Sequence, residues 1–318
     1  MSDKPTLLPE SQQLLANQAK TWAGLTSIEE KRAAWRKYAA AMSRPVPETL
    51  AVTDSTVPSP EVVVPVRIYW QLAVTAPLPC IVYMHGGGFM MGDLDTSDAV
   101  AWGLAELTGA QVVSVDYRLT PEHPFPAAFN DSWAVLTHIH DNPALYGADP
   151  SRLAVAGDSA GAKLSAGLSL KARDTGSVSL RAVAMIYGNG GFDSTTESAR
   201  LFAEGYGLTT ANSKKYTAML LPDDRYDNDP YAWPIRATSH ANLAPTLVHV
   251  AEMDPGRDSA RQYAAKLVMA GTATSYREGK GLVHGFMRSR FTGPASKAEF
   301  AEICAFLQHH LFAAPAEF

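Results

Sequence analysis

Serine, acid and histidine chemistry is written into four places of this chain. Ser159 stands in Gly157-Asp158-Ser159-Ala160-Gly161, after the apolar run Arg152–Ala156 and before the helical run Ala162–Lys171. A serine at such a sharp strand-to-helix turn is held in a strained backbone conformation with its Oγ raised, and the helix N-terminus favours negative charge. The flanking glycines leave room for strand and helix to approach each other. Upstream, His85-Gly86-Gly87-Gly88-Phe89 follows the apolar run Ile81–Met84. Without Cβ atoms, its backbone can bring several N–H groups into one space. The N–H groups of Gly87, Gly88 and Ala160 are candidate donors to an oxyanion, each worth roughly 10²–10³ in rate.

A serine nucleophile needs a base and an acid that orients it. Of the nine histidines, His138 and His140 precede the serine on a helix, and His309 and His310 lie on the last helix. His249 sits inside a strand, as a satisfied core histidine would. His284 follows a strand in the loop Gly281-Leu-Val-His-Gly-Phe286 and is the candidate base, in the order nucleophile, acid, base. Asp254 closes the run Thr246–Met253 and is the candidate acid. Glu252 is its rival, and Asp258 falls where an acidic residue would open the next helix.

Alternating elements must position these groups. Strands are expected at 61–70, 80–84, 111–116, 153–156, 180–187, 246–250 and 274–277, with Pro65 placing the first at a sheet edge. Helices are expected at 127–140, 160–173, 259–270 and 296–312, and two more before Pro45 and Pro47. Continuous apolar strands between helices predict an α/β fold with a mostly parallel sheet covered on both faces. Residues 189 to about 240 interrupt this alternation with polar, aromatic and proline-rich sequence, an insertion suited to a lid or binding surface. Candidate pocket residues are Phe89, Asp158 and Tyr187 from the core. The insertion adds Phe202, Tyr206, Tyr216 and Leu220.

Composition sets the bounds. The chain has 318 residues, 46% hydrophobic and 19% charged, with a formal net charge of −5, as an ordinary globular protein would. The dispersed Lys and Arg argue against nucleic-acid binding. Cys80 and Cys304 offer neither a disulfide framework nor metal-ligand spacing, so no metal or other cofactor is expected. No 18-residue apolar run or secretory pattern occurs, so membrane insertion is not expected and a cytoplasmic location is.

In ordered combination, the motifs resemble the hormone-sensitive-lipase-like family of α/β-hydrolase esterases. The matching elements are His85–Phe89, Asp116-Tyr-Arg-Leu-Thr-Pro-Glu-His-Pro-Phe-Pro-Ala-Ala128, Gly157–Gly161, Asp254-Pro-x-x-Asp258 and His284-Gly-Phe286. They span roughly residues 60–312. The resemblance implies Ser159 as nucleophile, His284 as base and Asp254 as its orienting acid, on an α/β-hydrolase fold with an eight-stranded sheet. It further implies a helical cap made of residues 1–45 and 189–240 over a core of 46–188 and 241–318. The expected activity is hydrolysis of small or short-acyl carboxylic esters, with a small-molecule ester as partner and a homodimer possible by sheet extension. An amidase, peptidase or acyltransferase would use the same residues, and a receptor could occupy the same fold. Three positions depart from the family pattern: Ala162-Lys163 after the serine turn, Gly188-Asn-Gly-Gly191 after a core strand, and Gly256. The last two are expected near the pocket, where they bear on acyl and leaving-group preference.

Overall fold

A computed structural model describes residues 5–75 and 77–313; residues 1–4 and 314–318, the ends of the first and last expected segments, lie outside the described residues. Two helices, α1 (Pro9–Trp22) and α2 (Ile28–Met42), precede β1 (Leu50–Pro58), β2 (Val63–Gln71) and β3 (Leu78–Met84). Then come α3 (Leu94–Thr108), β4 (Gln111–Val115), α4 (Ala127–Asp141), the single turn α5 (Pro143–Tyr146) and β5 (Ala148–Asp158). They are followed by α6 (Ala160–Thr175), β6 (Leu180–Ile186), α7 (Glu197–Leu201) and α8 (Thr210–Leu220). The chain closes with β7 (Thr246–Met253), α9 (Arg257–Met269), β8 (Thr274–Val283) and α10 (Pro294–Phe312).

The eight strands form one sheet in the order β1-β2-β4-β3-β5-β6-β7-β8. β2 runs antiparallel to both β1 and β4, and the pairings from β4 to β8 are parallel. Period-two alternation divides the buried strand residues between two faces. Val82, Met84, Val113, Val155, Val183 and Val248 pack toward α4, α6 and α9. Ile81, Tyr83, Val112, Ala154, Ala184 and Ile186 pack toward α3 and α10. Such two-sided burial is why these strands read as continuous apolar runs.

Several sequence expectations are corrected. β1 was not anticipated: it is rich in Thr, Asp and Ser and mostly exposed, and nine-residue pairing with β2 makes it a strand. β1 takes the edge, so β2 is interior despite Pro65. The Pro65 carbonyl accepts from Asp116 N–H on the β4 side, beyond the end of the β2–β4 ladder at Val66, so the missing N–H costs no ladder bond. α3 was also not read from the sequence, although Asp93 and Thr96 form a reciprocal cap and Gly109 closes the helix at φ +75°. Finally, β8 runs on to Val283 rather than ending at 277. Its register with β7 shifts between Ala251 and Met253, and the Glu252 carboxylate accepts the Gly281 N–H at 2.7 Å across that irregularity.

Candidate active site

The carboxyl ends of β3, β5, β7 and β8 converge on one place. Ser159 caps α6 with φ +53°, and its N–H donates to the Ile186 carbonyl at 2.8 Å. The turn is tight because its glycines are in backbone contact. A Cβ on Gly157 would strike the Gly161 backbone, and one on Gly161 would strike the Met84 carbonyl at the end of β3. Among the described residues, four non-glycine residues have positive φ; three of them, Phe89, Ser159 and Tyr187, line the site. Strain concentrated in this way is a feature of functional sites.

His284 follows β8 directly and bridges the two other groups. Its Nε2 lies 2.8 Å from Ser159 Oγ and its Nδ1 lies 2.5 Å from Asp254 Oδ2. The second Asp254 oxygen accepts the Gly256 N–H at 2.7 Å, so a carboxylate only 2% exposed is fully engaged. Glu252, the rival acid, instead binds Lys280 and Gly281. Asp258 opens α9 and accepts the Ser198 N–H at 2.8 Å, tying α7 to the acid-bearing loop. His249 bonds Glu299 through Nε2 and is buried away from this cluster.

Gly87 and Gly88 adopt φ +137° and +62°, and their N–H groups pair with no acceptor among the described residues. The Ala160 N–H, first in its helix, has no intrahelical partner either. His85 shapes this loop from beneath. Its Nδ1 lies 2.9 Å from the Gly86 carbonyl and its ring stacks on Tyr117, 4.3 Å between centroids. Burial holds the His85 imidazole below its ordinary pKa, hence neutral. Asp158 fixes the loop from the side, accepting the Gly86 N–H and the hydroxyls of Tyr83 and Tyr187. Burial, and then the Asp158 charge, push both tyrosines well above the ordinary phenol pKa, so they stay donors.

Two clefts meet at Ser159. The first, about 610 Å³ with its open mouth, is lined by Phe89, Lys163, Tyr187, Asn189, Tyr216 and Leu220 besides Ser159 and His284. The second, about 1150 Å³, takes in Trp22 and Trp35 from α1 and α2, Met90, Met91, Asp158 and Arg288. One face of α8 serves the first cleft: Ser213, Tyr216, Thr217 and Leu220 recur at the i, i+3, i+4, i+7 spacing. The Tyr216 ring packs on Gly88, where a Cβ would come within 2.7 Å of it, and it borders both clefts.

The structure does not bring Phe202 and Tyr206 to either cleft, contrary to the sequence expectation. Phe202 packs with Leu14, Tyr38, Met253 and Val283, and Tyr206 meets it edge-on at 5.0 Å. The short α7, pinned to the acid loop through Ser198, draws them inward as packing between the N-terminal helices and the sheet. Sequence reasoning in turn missed Lys163 and the tryptophans of α1 and α2. Lys163 follows Ser159 by one helical turn, a spacing that already put it on the same helix face. For Trp22 and Trp35 no local signal existed.

The comparisons with known proteins fit this geometry. A family model described as "alpha/beta hydrolase fold" matches residues 81–288. The carboxylic ester hydrolase LipN of Mycobacterium tuberculosis is 36% identical over 97% of this chain and 84% of its own length. Carboxylesterase NlhH of the same species is 39% identical over 73% of this chain and 74% of its own. Among solved structures, an ester hydrolase from the metagenome of Lake Arreo superimposes with a TM-score of 0.89 at 35% identity, covering 97% of this chain and all of that one. A thermostable esterase from Pseudomonas putida gives 0.91 at 28% identity over 98% of this chain and all of its own. On the matched family, the level of identity and the extent of coverage, the chain belongs to the hormone-sensitive-lipase-like family of α/β hydrolases.

Proposed function

We infer that the protein is a serine carboxylesterase acting on small or short-acyl esters through an acyl-enzyme. The observation that carries this is the unbroken relay from Ser159 Oγ to His284 Nε2 at 2.8 Å and from His284 Nδ1 to Asp254 Oδ2 at 2.5 Å. The chemistry follows from the positions. His284 takes the Ser159 proton as Oγ attacks the ester carbonyl, while Asp254 holds the imidazole tautomer and stabilises the imidazolium. Gly87, Gly88 and Ala160 N–H groups receive the oxyanion. Protonated His284 then gives its proton to the departing alcohol, and a water molecule repeats the sequence on the acyl-enzyme. None of these steps calls on a metal or cofactor. The carboxylic ester hydrolase and carboxylesterase relatives favour this reading over the amidase, acyltransferase and receptor alternatives.

Residues 1–45 and 189–240 act together as the cap: α1 and α2 border one cleft and α8 borders both. A site with one cleft on each side of the nucleophile suits the two halves of a small ester. The substrate is a small molecule, and no described helix is long and apolar enough to cross a membrane. Both cysteines are free and buried, which supports a reducing, cytoplasmic setting. The open β8 edge, next to exposed Met269 and Tyr276, supports pairing with a second copy by sheet extension. Sedimentation that reads a monomer at micromolar concentration overturns the dimer.

The direct test uses p-nitrophenyl acetate and butanoate. An initial burst of nitrophenol equal to the enzyme concentration, abolished in Ser159→Ala, supports the acyl-enzyme. Turnover that survives this substitution sinks it.

A further inference from the structure

Lys163 is a cation without a counter-charge in the wall of the first cleft. It stands in the first turn of α6, four residues after Ser159, and so shares that residue's helix face about 6 Å further along the axis. Its Nζ lies 4.3 Å from the centre of the Trp233 ring. It has neither an ion pair nor a hydrogen-bonded protein acceptor among the described residues. The Arg236 guanidinium packs against the same Trp233, 4.4 Å from the ring centre, and its charge repels that of Lys163. Asp254 is the one carboxylate lining this cleft among the described residues, and both of its oxygens are already engaged by His284 and Gly256.

Asn189 lines the same cleft. Its Oδ1 accepts the Gly191 N–H at 3.1 Å, while its Nδ2 is without a protein acceptor among the described residues. The cleft lining therefore includes an ammonium and an amide donor that no protein acceptor engages among the described residues. Desolvation makes this arrangement unfavourable: burial, then Arg236, lowers the Lys163 pKa to about 7. An acyl chain of methylenes would leave that unfavourable arrangement as it stands. A ligand carrying its own negative charge relieves it, because charge-assisted bonds in a partly dry site are the strong ones.

We propose that Lys163, with Asn189, binds an ionised carboxylate on the substrate, so that the preferred esters carry a second, free carboxylate. This rests on the serine esterase reading above and names its substrate class. The carboxylate belongs either to the acyl part, as in half-esters of small dicarboxylic acids, or to the alcohol part, as in acyl esters of small hydroxy acids. In both, a chain of a few carbons separates the ester carbonyl from the carboxylate. Lys163 is a specificity-determining residue here and takes no part in bond making.

The test compares kcat/KM by pH-stat at neutral pH in the full-length wild type, Lys163→Met and Lys163→Arg. Monomethyl glutarate against dimethyl glutarate reads the acyl arm, and 3-acetoxypropanoate against propyl acetate reads the alcohol arm. In one arm the wild type favours the anionic ester about 10- to 100-fold, the range expected of a charge-assisted bond. Lys163→Met lowers that ratio at least tenfold, mainly through KM, and Lys163→Arg keeps most of it. The arm showing the preference identifies the half of the ester that carries the charge. Neutral preference in both arms, or a ratio untouched by Lys163→Met, overturns the proposal. Loss of the esterase reading is told apart by hydrolysis of the neutral esters: if none is cleaved, that reading fails. Titration of tryptophan fluorescence with sodium glutarate then decides the anion site alone. Saturable binding weakened tenfold in Lys163→Met upholds it, and no binding overturns it.

Discussion

Asp158 accepts the Gly86 N–H at 2.8 Å, so the serine turn and the glycine-rich loop 72 residues earlier are locked together through one carboxylate. The same oxygen accepts the Tyr83 hydroxyl at 2.6 Å, and the other accepts Tyr187 at 3.1 Å. The spacing between Ser159 and the Gly87 and Gly88 N–H groups, the proposed oxyanion donors, is thereby tied to Asp158, Tyr83 and Tyr187. Asp158→Ala leaves three buried donors without a partner. Chemical denaturation should show a loss of about 2–4 kcal/mol. The released loop should lower kcat on a short-acyl ester by roughly 10²-fold, with a smaller change in KM. Asp158→Asn retains one acceptor oxygen and should fall between. A wild-type kcat in Asp158→Ala would show that the loop is positioned by something else.

Asp254 and Glu252 separate cleanly by substitution. Asp254→Asn presents an amide N–H to His284 Nδ1 and selects the wrong tautomer, so kcat should fall by about 10⁴ with folding intact. Glu252→Gln weakens the hold on Gly281 and Lys280. It should lower the unfolding midpoint while kcat stays within about threefold, since effects away from reacting atoms are mostly on stability. Stopped assays on both variants, next to thermal melts, check the assignment. The reverse pattern would make Glu252 the acid.

Burial of Lys163 makes stability depend on pH. The unfolded side chain keeps its proton up to about 10.5, whereas the folded one gives it up near 7. Between these values the unfolded chain binds more protons, so this residue makes stability rise with pH across that window. Below pH 7 the full cost of the buried charge is present. Lys163→Met should therefore raise the melting temperature by a few degrees at pH 6 and by almost nothing near pH 10.5. Melts at the two pH values decide it, and an equal shift at both would refute a charge effect.

Arg32 clamps the N-terminal helices to the site. From α2 it donates to the Met90 and Thr120 carbonyls at 2.8 and 3.0 Å and pairs with Glu122 at 2.8 Å. Its guanidinium thus holds the backbone just after the donor loop. Arg32→Ala should speed proteolytic cleavage within residues 5–45 and reduce kcat/KM about three- to tenfold, with Arg32→Lys recovering little because the forked geometry is lost. Unchanged cleavage would mean that packing alone holds these helices.

The sequence by itself determined the alternation of strands and helices, the serine turn, the donor loop, and the candidates Asp254 and His284. Each of these rests on local physics: two-sided burial makes an apolar run, a tight turn demands glycine, and an acid ends a strand. The polar strand β1 and the length of β8 were hidden, because pairing partners rather than local preference made them strands. Tertiary structure alone decided which insertion residues face the cleft: α8 presents Tyr216 and Leu220, whereas Phe202 and Tyr206 turn into the packing beneath. All four are large side chains of the same insertion, and the anchoring of α7 on the acid loop separates them. The same holds for Lys163, an ordinary surface residue by composition. The fold, by setting Trp233 and Arg236 against it, left it a half-buried charge with an aromatic face but no counter-ion among the described residues.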